Sequence, residues 1–436
     1  MIRKSLRGIG LIALAVVVLL LMIFDRLWIP GNDQGKAVRV YYADNVSPAH
    51  QQIIDRFNEQ YRGKIEVVPV HLPFEKFSTN ERKELFARSL RNKSDRLDIF
   101  AVDLIWVPRF SRWAEPLDSY IQPPTRGLIL KQALESCMFV STLVALPIYI
   151  DVGLLYYRQD LVRQLPGGDS LERRLQSSIT WEDFIRAGRS MRQKGHPYYI
   201  FTGNDYEGLV CTFFEMIAGQ DEDFFKQPRL DFESPVAHTA LRMLVDFVRT
   251  YGISPPEVSD FDEIRSYRYL LDRDGIFARG WPNFLESFRD SYVNKEKLKQ
   301  VRGTLLPHFE GRNSVGVFGG WNLMVSKFST RKREAMEFIR FVQREDMQKL
   351  LFEVGGFFPT NVNVYADSAY VRQHPELEFS RHLIEHGFHR PAMVEYTKMS
   401  DIISRHVHLA IKGETTVDEA LRTISREIMT IKGSAE

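Results

Sequence analysis

The 436-residue chain has only two cysteines, Cys137 and Cys211. So few exclude a disulfide-stapled framework, and their spacing matches no metal-ligand pattern. The plain reading is two isolated buried thiols, and whether they pair stays open in the sequence. Net charge is also scarce: 58 Lys and Arg stand against 56 Asp and Glu, leaving +2, so no global field favours nucleic acid. Catalytic signatures are missing as well. The chain has no Gly-x-x-x-x-Gly-Lys-Ser/Thr phosphate loop, no His-Glu-x-x-His helix and no Gly-x-Ser-x-Gly elbow. No internal repeat and no low-complexity tract occurs.

What is present is a folded core. The hydrophobic fraction is 44%, and the length suggests two or more domains. Aromatics are generous, with 30 Phe, 17 Tyr and 6 Trp, which suits deep cores and stacking surfaces alike. At the N-terminus Arg3, Lys4 and Arg7 precede an apolar run from Ile9 to Phe24, broken only by Gly10. A basic flank before such a run marks a secretion signal or an inside-to-outside anchor. No small-residue cleavage pattern follows and no cysteine is there to be lipidated, so an uncleaved anchor is the favoured reading. We take 1–8 as a basic cytoplasmic flank, 9–29 as a signal anchor or transmembrane segment, and 30–37 as a linker. The remainder then lies on the periplasmic or extracellular side of the cell membrane.

Beyond the linker the pattern alternates. Val38–Tyr42 predicts a strand, Pro48–Tyr61 a helix, Lys64–Val70 a strand, Glu81–Leu90 a helix and Leu97–Val102 a strand. Such β-α-β-α-β order implies a mainly parallel sheet. Asp103 closes the third strand, at the end where open α/β sheets bind ligands. The middle reads as mostly helical: 208–218, 236–251 and Asp260–Leu271, then a strand at Gly275–Ala278. Thr180-Trp-Glu-Asp183 and Thr416-Val-Asp-Glu419 are capping boxes. Ala420, Leu421, Ile424 and Ile428 share one helical face, and Gly316–Val325 predicts a late strand before a helix at Arg331–Arg344.

One stretch stands out, Thr142-Leu-Val-Ala-Leu-Pro-Ile-Tyr-Ile-Asp-Val-Gly-Leu-Leu-Tyr-Tyr-Arg-Gln-Asp-Leu161. Side chains two apart on an extended segment point to the same side, so Tyr149 and Asp151 offer an aromatic surface and a carboxylate to one space. This stretch resembles the crossover segment of extracellular solute-binding proteins of carbohydrate ABC transporters, above all the trehalose/maltose-binding type. Further segments resemble the same family, in the same order. They are Leu97-Asp-Ile-Phe-Ala-Val-Asp-Leu-Ile-Trp-Val-Pro-Arg-Phe110 with Ala114-Glu-Pro-Leu-Asp118, Gly275-Ile-Phe-Ala-Arg-Gly-Trp-Pro-Asn-Phe284, Leu305-Leu-Pro307 with Val317-Phe-Gly-Gly-Trp-Asn-Leu323, and Arg390-Pro391 with Tyr396 and the Ile402–Ala410 helix.

The resemblance implies a periplasmic-binding-protein type II-like α/β fold, two lobes around a hinge and a ligand cleft. It implies lobe 1 at 38–149 plus 312–357 and lobe 2 at 150–311 plus 358–436, with crossings near 149–151, 309–314 and 356–361. It implies ligand contacts at Asp103, Tyr149, Asp151, Trp281, Gly320, Trp321 and Arg390, and a polar contact in the first loop, at Asn45. It implies no cofactor, no metal and no catalysis, a monomer, and permease membrane subunits as partners besides a carbohydrate ligand. The chemistry agrees. A pyranose has an apolar face and an equator of hydroxyls, well held by a stacked Trp and by Asp and Arg side chains. For either Trp the plain alternative is a core residue, for Asp103 a helix cap, and for the Asp44-Asn45 pair a turn or cap.

Two rival readings come from other classes. An anchored domain that senses a ligand without transporting it fits the apolar run. A glycan-processing enzyme could use Asp103 and Asp151 as a carboxylate pair. His386 and His389 read as an exposed polar face one helical turn apart, with no third ligand for a metal. Arg331-Lys-Arg333 reads as a solvated helix start, although cations there oppose the helix dipole.

Overall fold

The computed structural model describes residues 37–433, apart from 74–75, 77–78, 95, 192–195, 228 and 290. The run Ile9–Phe24, read above as an anchor, lies outside the described residues. Among those described, no helix is long and apolar enough to cross a membrane.

The first strands follow from the sequence period. β1 (Val38–Asp44), β2 (Ile65–His71) and β3 (Ile99–Asp103) lie parallel, with β1 between the other two. The helices Pro48–Gln60 and Thr79–Arg91 make the crossovers. Ser47 caps the first of these by accepting from the His50 N–H, and Pro48 occupies its first turn, where no N–H is needed. Its Ala49, Ile53, Ile54 and Phe57 are buried at helical spacing. β4 (Met138–Phe139) and β5 (Thr142–Leu143) form a small hairpin. β6 (Leu146–Val152) and β7 (Leu154–Arg158) are buried at every residue, which explains their unbroken apolar run.

The chain changes sheet between β6 and β7. β7 joins β8 (Tyr199–Ile200), β9 (Phe277–Gly280) and β10 (Val301–Thr304) in a four-stranded sheet ordered β10-β7-β9-β8. It returns with β11 (Gly316–Val325). With β12 (Gly387–Phe388), the larger, six-stranded sheet runs β12-β11-β3-β1-β2, and β6 also pairs with β11. The molecule is thus two α/β units, each with its own sheet.

Local signals hold well. The Thr180 hydroxyl accepts from the Asp183 N–H (3.2 Å) and the Thr416 hydroxyl from the Glu419 N–H (3.2 Å). Ala420, Leu421, Ile424 and Ile428 are buried together. Cys137 and Cys211 are free, buried thiols. The cationic start at Arg331 is not a solvated face. Arg331 donates to both oxygens of buried Asp98 (3.1 and 3.0 Å), and Lys332 pairs with Glu115 at 2.7 Å. These carboxylates offset the unfavourable dipole. The two histidines do not share a helix either. The helix Glu376–Glu385 ends before both of them; His386 packs on His382 (4.4 Å between rings) and His389 on Phe318 (4.7 Å).

Candidate functional site

Of the residues singled out in the sequence, Asp103, Tyr149, Asp151, Gly320 and Trp321 lie on adjoining strands of the larger sheet. Across its central strands Asp103 of β3 pairs with Trp321 of β11, and Trp321 pairs with Tyr149 of β6. Two positions back on β11, Gly319 pairs with Asp151. Alternation along each strand then puts Tyr149 with Asp151, and Trp321 with Gly319, on common faces. Gly320 lies between, at φ +123°, and a β-carbon there would stand 2.5 Å from the Tyr149 carbonyl oxygen. The close approach it admits is that of strand β6. Gly320→Ala is therefore expected to destabilise by about 2–4 kcal/mol through a backbone clash and a left-handed φ, read as a lowered denaturant midpoint with unchanged slope.

Each aromatic of the site packs on a ring or a guanidinium. Trp321 meets Trp106 edge-on (5.5 Å, 82°), and the Arg82 guanidinium lies 4.3 Å over its ring. Tyr149 stacks on Phe357 at 4.1 Å. Trp281 comes from the smaller sheet, at the end of β9. The Arg279 guanidinium sits 4.0 Å from its ring, its indole N–H donates to Glu263 (3.3 Å), and its backbone N–H donates to the Tyr267 hydroxyl (2.8 Å). A β-carbon on Gly319 would stand 2.8 Å from the Trp281 ring, so this indole reaches from one unit onto β11 of the other.

The charged groups also join the units. Arg390 is buried and donates to Asp103 (3.1 Å), to Glu207 (2.6 Å) and to the Phe318 carbonyl (3.3 Å). Glu207 opens the helix Glu207–Ala218 and also accepts from the Tyr396 hydroxyl (2.6 Å) and the Ser400 hydroxyl. Asp103 caps the turn after β3 by accepting from the Ile105 N–H at 3.1 Å, so its cap and site positions coincide. Burial raises its pKa, and Arg390 opposes that rise. Asp151 has no such support. It is 7% exposed, its Oδ1 has no hydrogen-bond partner among the described residues, and burial followed by the neighbouring Asp103 charge pushes its pKa up to about 7.

The first loop is built around Asp44. Asn45 contributes its backbone N–H to Asp44 (2.6 Å), and it is Asp44 that carries the polar contacts. Buried Asp44 accepts from Arg82 (3.0 Å) and from the Tyr42 hydroxyl, with His50 Nε2 at 3.7 Å. Burial holds the His50 pKa below its usual value. Sequence reasoning gave Asp44 only as part of a turn or cap and missed Arg82, Glu207 and Phe357. Arg82 sits among charged residues of the helix Thr79–Arg91, yet its side chain is 0% exposed. An open groove of about 580 Å³ lies elsewhere, lined by Leu230, Phe232, Met393, Met399 and Met429 among others. It contains none of these residues; the buried charges and aromatics make the interface of the two units the candidate site. Among the described residues no cluster of His, Cys, Asp and Glu could hold a metal ion.

Residues 43–349 match a family model described as bacterial extracellular solute-binding protein. A probable ABC transporter-binding protein of Deinococcus radiodurans is 23% identical over 365 residues, spanning 81% of this chain and 84% of that one. Among solved structures, maltose-bound MalE3 of T. maritima superposes with a TM-score of 0.80 at 26% identity, covering 91% of this chain and 100% of its own. An ABC transporter solute-binding protein of Agrobacterium vitis with bound D-mannitol gives a TM-score of 0.73 at 19% identity, covering 92% and 99%. These neighbours share the periplasmic-binding-protein-like fold.

Proposed function

Because the chain belongs to the bacterial extracellular solute-binding proteins, whose members found here are binders and not enzymes, we propose that it is the substrate-binding component of an ABC importer. It captures a neutral mono- or oligosaccharide between its two α/β units and delivers it to a membrane permease. Trp281, Trp321 and Tyr149 supply stacking surfaces, Asp103 and Asp151 accept from hydroxyls, and Arg390 ties the two sides together. The carrying observation is the buried Asp151 oxygen without a partner among the described residues, on the row where the Trp281 indole meets β11. A buried acceptor left unpaired costs free energy that a ligand hydroxyl would recover. Closure would hinge where the chain passes between the sheets, at β6–β7 and at β10–β11.

The charge balance supports a neutral ligand. Arg82 faces Asp44, Arg279 faces Glu215, and Arg390 faces both Asp103 and Glu207. Each of these buried guanidiniums faces a carboxylate, although Arg279 Nη1 and Arg390 Nε make no hydrogen bond among the described residues, and Asp151 is a buried carboxylate with no cation paired to it. An anionic ligand would meet like charge in a desolvated cleft, typically at a cost of several kcal/mol. Thermal shift against maltose, D-mannitol, ribitol and a sugar phosphate, followed by calorimetry at low and high salt, tests this. A neutral sugar should bind with weak salt dependence. Tight, salt-sensitive binding of the sugar phosphate would overturn the reading.

The apolar run Ile9–Phe24 holds the binding unit at the membrane in this proposal. N-terminal sequencing of membrane-extracted protein checks it, and a mature start between residues 24 and 38 would refute it. The same run is what favours the second reading, an anchored sensor. Co-purification with permease subunits separates transport from sensing.

A further inference from the structure

Glu215 lies outside the set of side chains assigned to the ligand, yet it is 7% exposed and bears a charge. It belongs to the helix Glu207–Ala218, whose residues from Gly208 onward are all buried. Its carboxylate clasps Arg279 on two sides, at 2.8 and 3.1 Å, and Arg279 itself is 1% exposed. Swapping such a pair for apolar side chains of similar size is often neutral or stabilising, so its presence is poorly explained by stability alone. The same Glu215 Oε1 accepts from the Val317 N–H at 3.3 Å. Val317 belongs to β11, in the other sheet.

Val317 and Gly319 sit two apart on β11, on one face of the strand. Gly319 is where the Trp281 indole rests, and Arg279 covers a face of that indole at 4.0 Å. A closed loop results, running from the strand through carboxylate and guanidinium to indole and back to the strand. We propose that Glu215 is a positioning residue for Trp281: through Arg279 it fixes the plane of the indole, and through the Val317 N–H it registers that plane against β11. The planar guanidinium suits this task, because its fork is held by two oxygens while its face stacks on the ring. The backbone of Trp281 is fixed separately, since the Tyr156 hydroxyl donates to the carbonyls of Trp281 and Pro282 (2.8 and 2.9 Å). The side-chain plane is then set by the ion pair against the ring face, together with the Glu263 acceptor of the indole N–H (3.3 Å) at its edge. The sugar selected would then depend on residues that never touch it. This inference rests on the reading of Trp281 as a ligand platform.

The test replaces the pair with Glu215→Met and Arg279→Met together, in the wild-type chain and in Trp281→Phe. Two readouts are taken. One is the Trp281 contribution to fluorescence, obtained as wild type minus Trp281→Phe, with its emission maximum and anisotropy. The other is affinity for maltose. Removing the pair should shift the Trp281 emission and lower its anisotropy. It should also weaken maltose binding about tenfold, an effect in the range of one lost cation–π anchor, and give no further loss when Trp281 is already Phe. Unchanged Trp281 emission and anisotropy, or losses that simply add, would overturn the positioning role. If instead Trp281→Phe leaves maltose binding intact, the platform reading fails, while the fluorescence comparison still decides whether the pair orients the ring. Should the double variant not fold, Glu215→Gln carries the same two readouts.

Discussion

Trp281→Ala is expected to weaken sugar binding by about 2–4 kcal/mol, the range of buried aromatic anchors at binding interfaces. The indole is held from its own unit by Arg279, Glu263 and Tyr267 and reaches Gly319 of the other. Truncation removes the platform from both units at once. Stability should suffer less. The ring is only partly buried, and the guanidinium contact it gives up is worth about 0.5–2 kcal/mol. Calorimetry against the sugar that gives the largest thermal shift, alongside a melting curve, separates the two. A large fall in melting temperature with intact affinity would make Trp281 a core residue and sink the assignment.

Asp151→Asn should change two pH profiles together. In the folded protein burial pushes the Asp151 pKa up to about 7, whereas an unfolded Asp titrates near 4. Between these values the folded state binds more protons than the unfolded one. Stability of the unliganded protein should therefore fall as pH rises through this window, with a slope near 1.4 kcal/mol per unit and about 4 kcal/mol in total from this group. The asparagine variant lacks the slope and should be the more stable protein at pH 8. Binding runs the opposite way. Sugar hydroxyls donate to the ionised carboxylate, so affinity should rise with pH towards a plateau above 7 and binding should release a proton below it. The variant should bind more weakly by roughly 1–3 kcal/mol. Melting curves from pH 4 to 8 and calorimetry in buffers of different ionisation enthalpy check both halves. Parallel stability profiles for wild type and variant would refute the assignment.

Much of the candidate site is legible in the sequence. Asp103 falls at the end of an alternating β-α-β-α-β pattern, and strand ends are where such sheets bind ligands. Tyr149 and Asp151 share a face because the strand period is two. The Thr180 and Thr416 caps are visible because donor and acceptor lie three residues apart. What escaped was pairing over long separations. Arg82 meets Asp44, Arg279 meets Glu215 and Arg390 meets Glu207, and in each case only the folded chain shows that a charged residue is buried. The β4–β5 hairpin escaped for another reason. Its turn places Val140 and Ser141 at φ 45° and 64°, without the Asn-Gly or Asp-Gly that usually announces such backbone. His386 and His389 misled because the spacing of a helix turn continues past the residue where the helix stops.

Strand β11 also bears on the order in which the protein comes into being. It is the partner of both β3 and β6, and it emerges from the ribosome only after every strand of the smaller sheet has been made. The pairing of Asp103 with Trp321 closes a long loop of chain, and the contact of Asp103 with Arg390 a longer one. Non-local closures of this kind slow folding, because chain entropy is lost before contacts are gained. A polypeptide interrupted before Gly316 would hold all the strands of one sheet and none of the completed row at which the sugar is proposed to sit. Ligand affinity can therefore serve as an assay of completed synthesis, since truncated chains would have no site to offer.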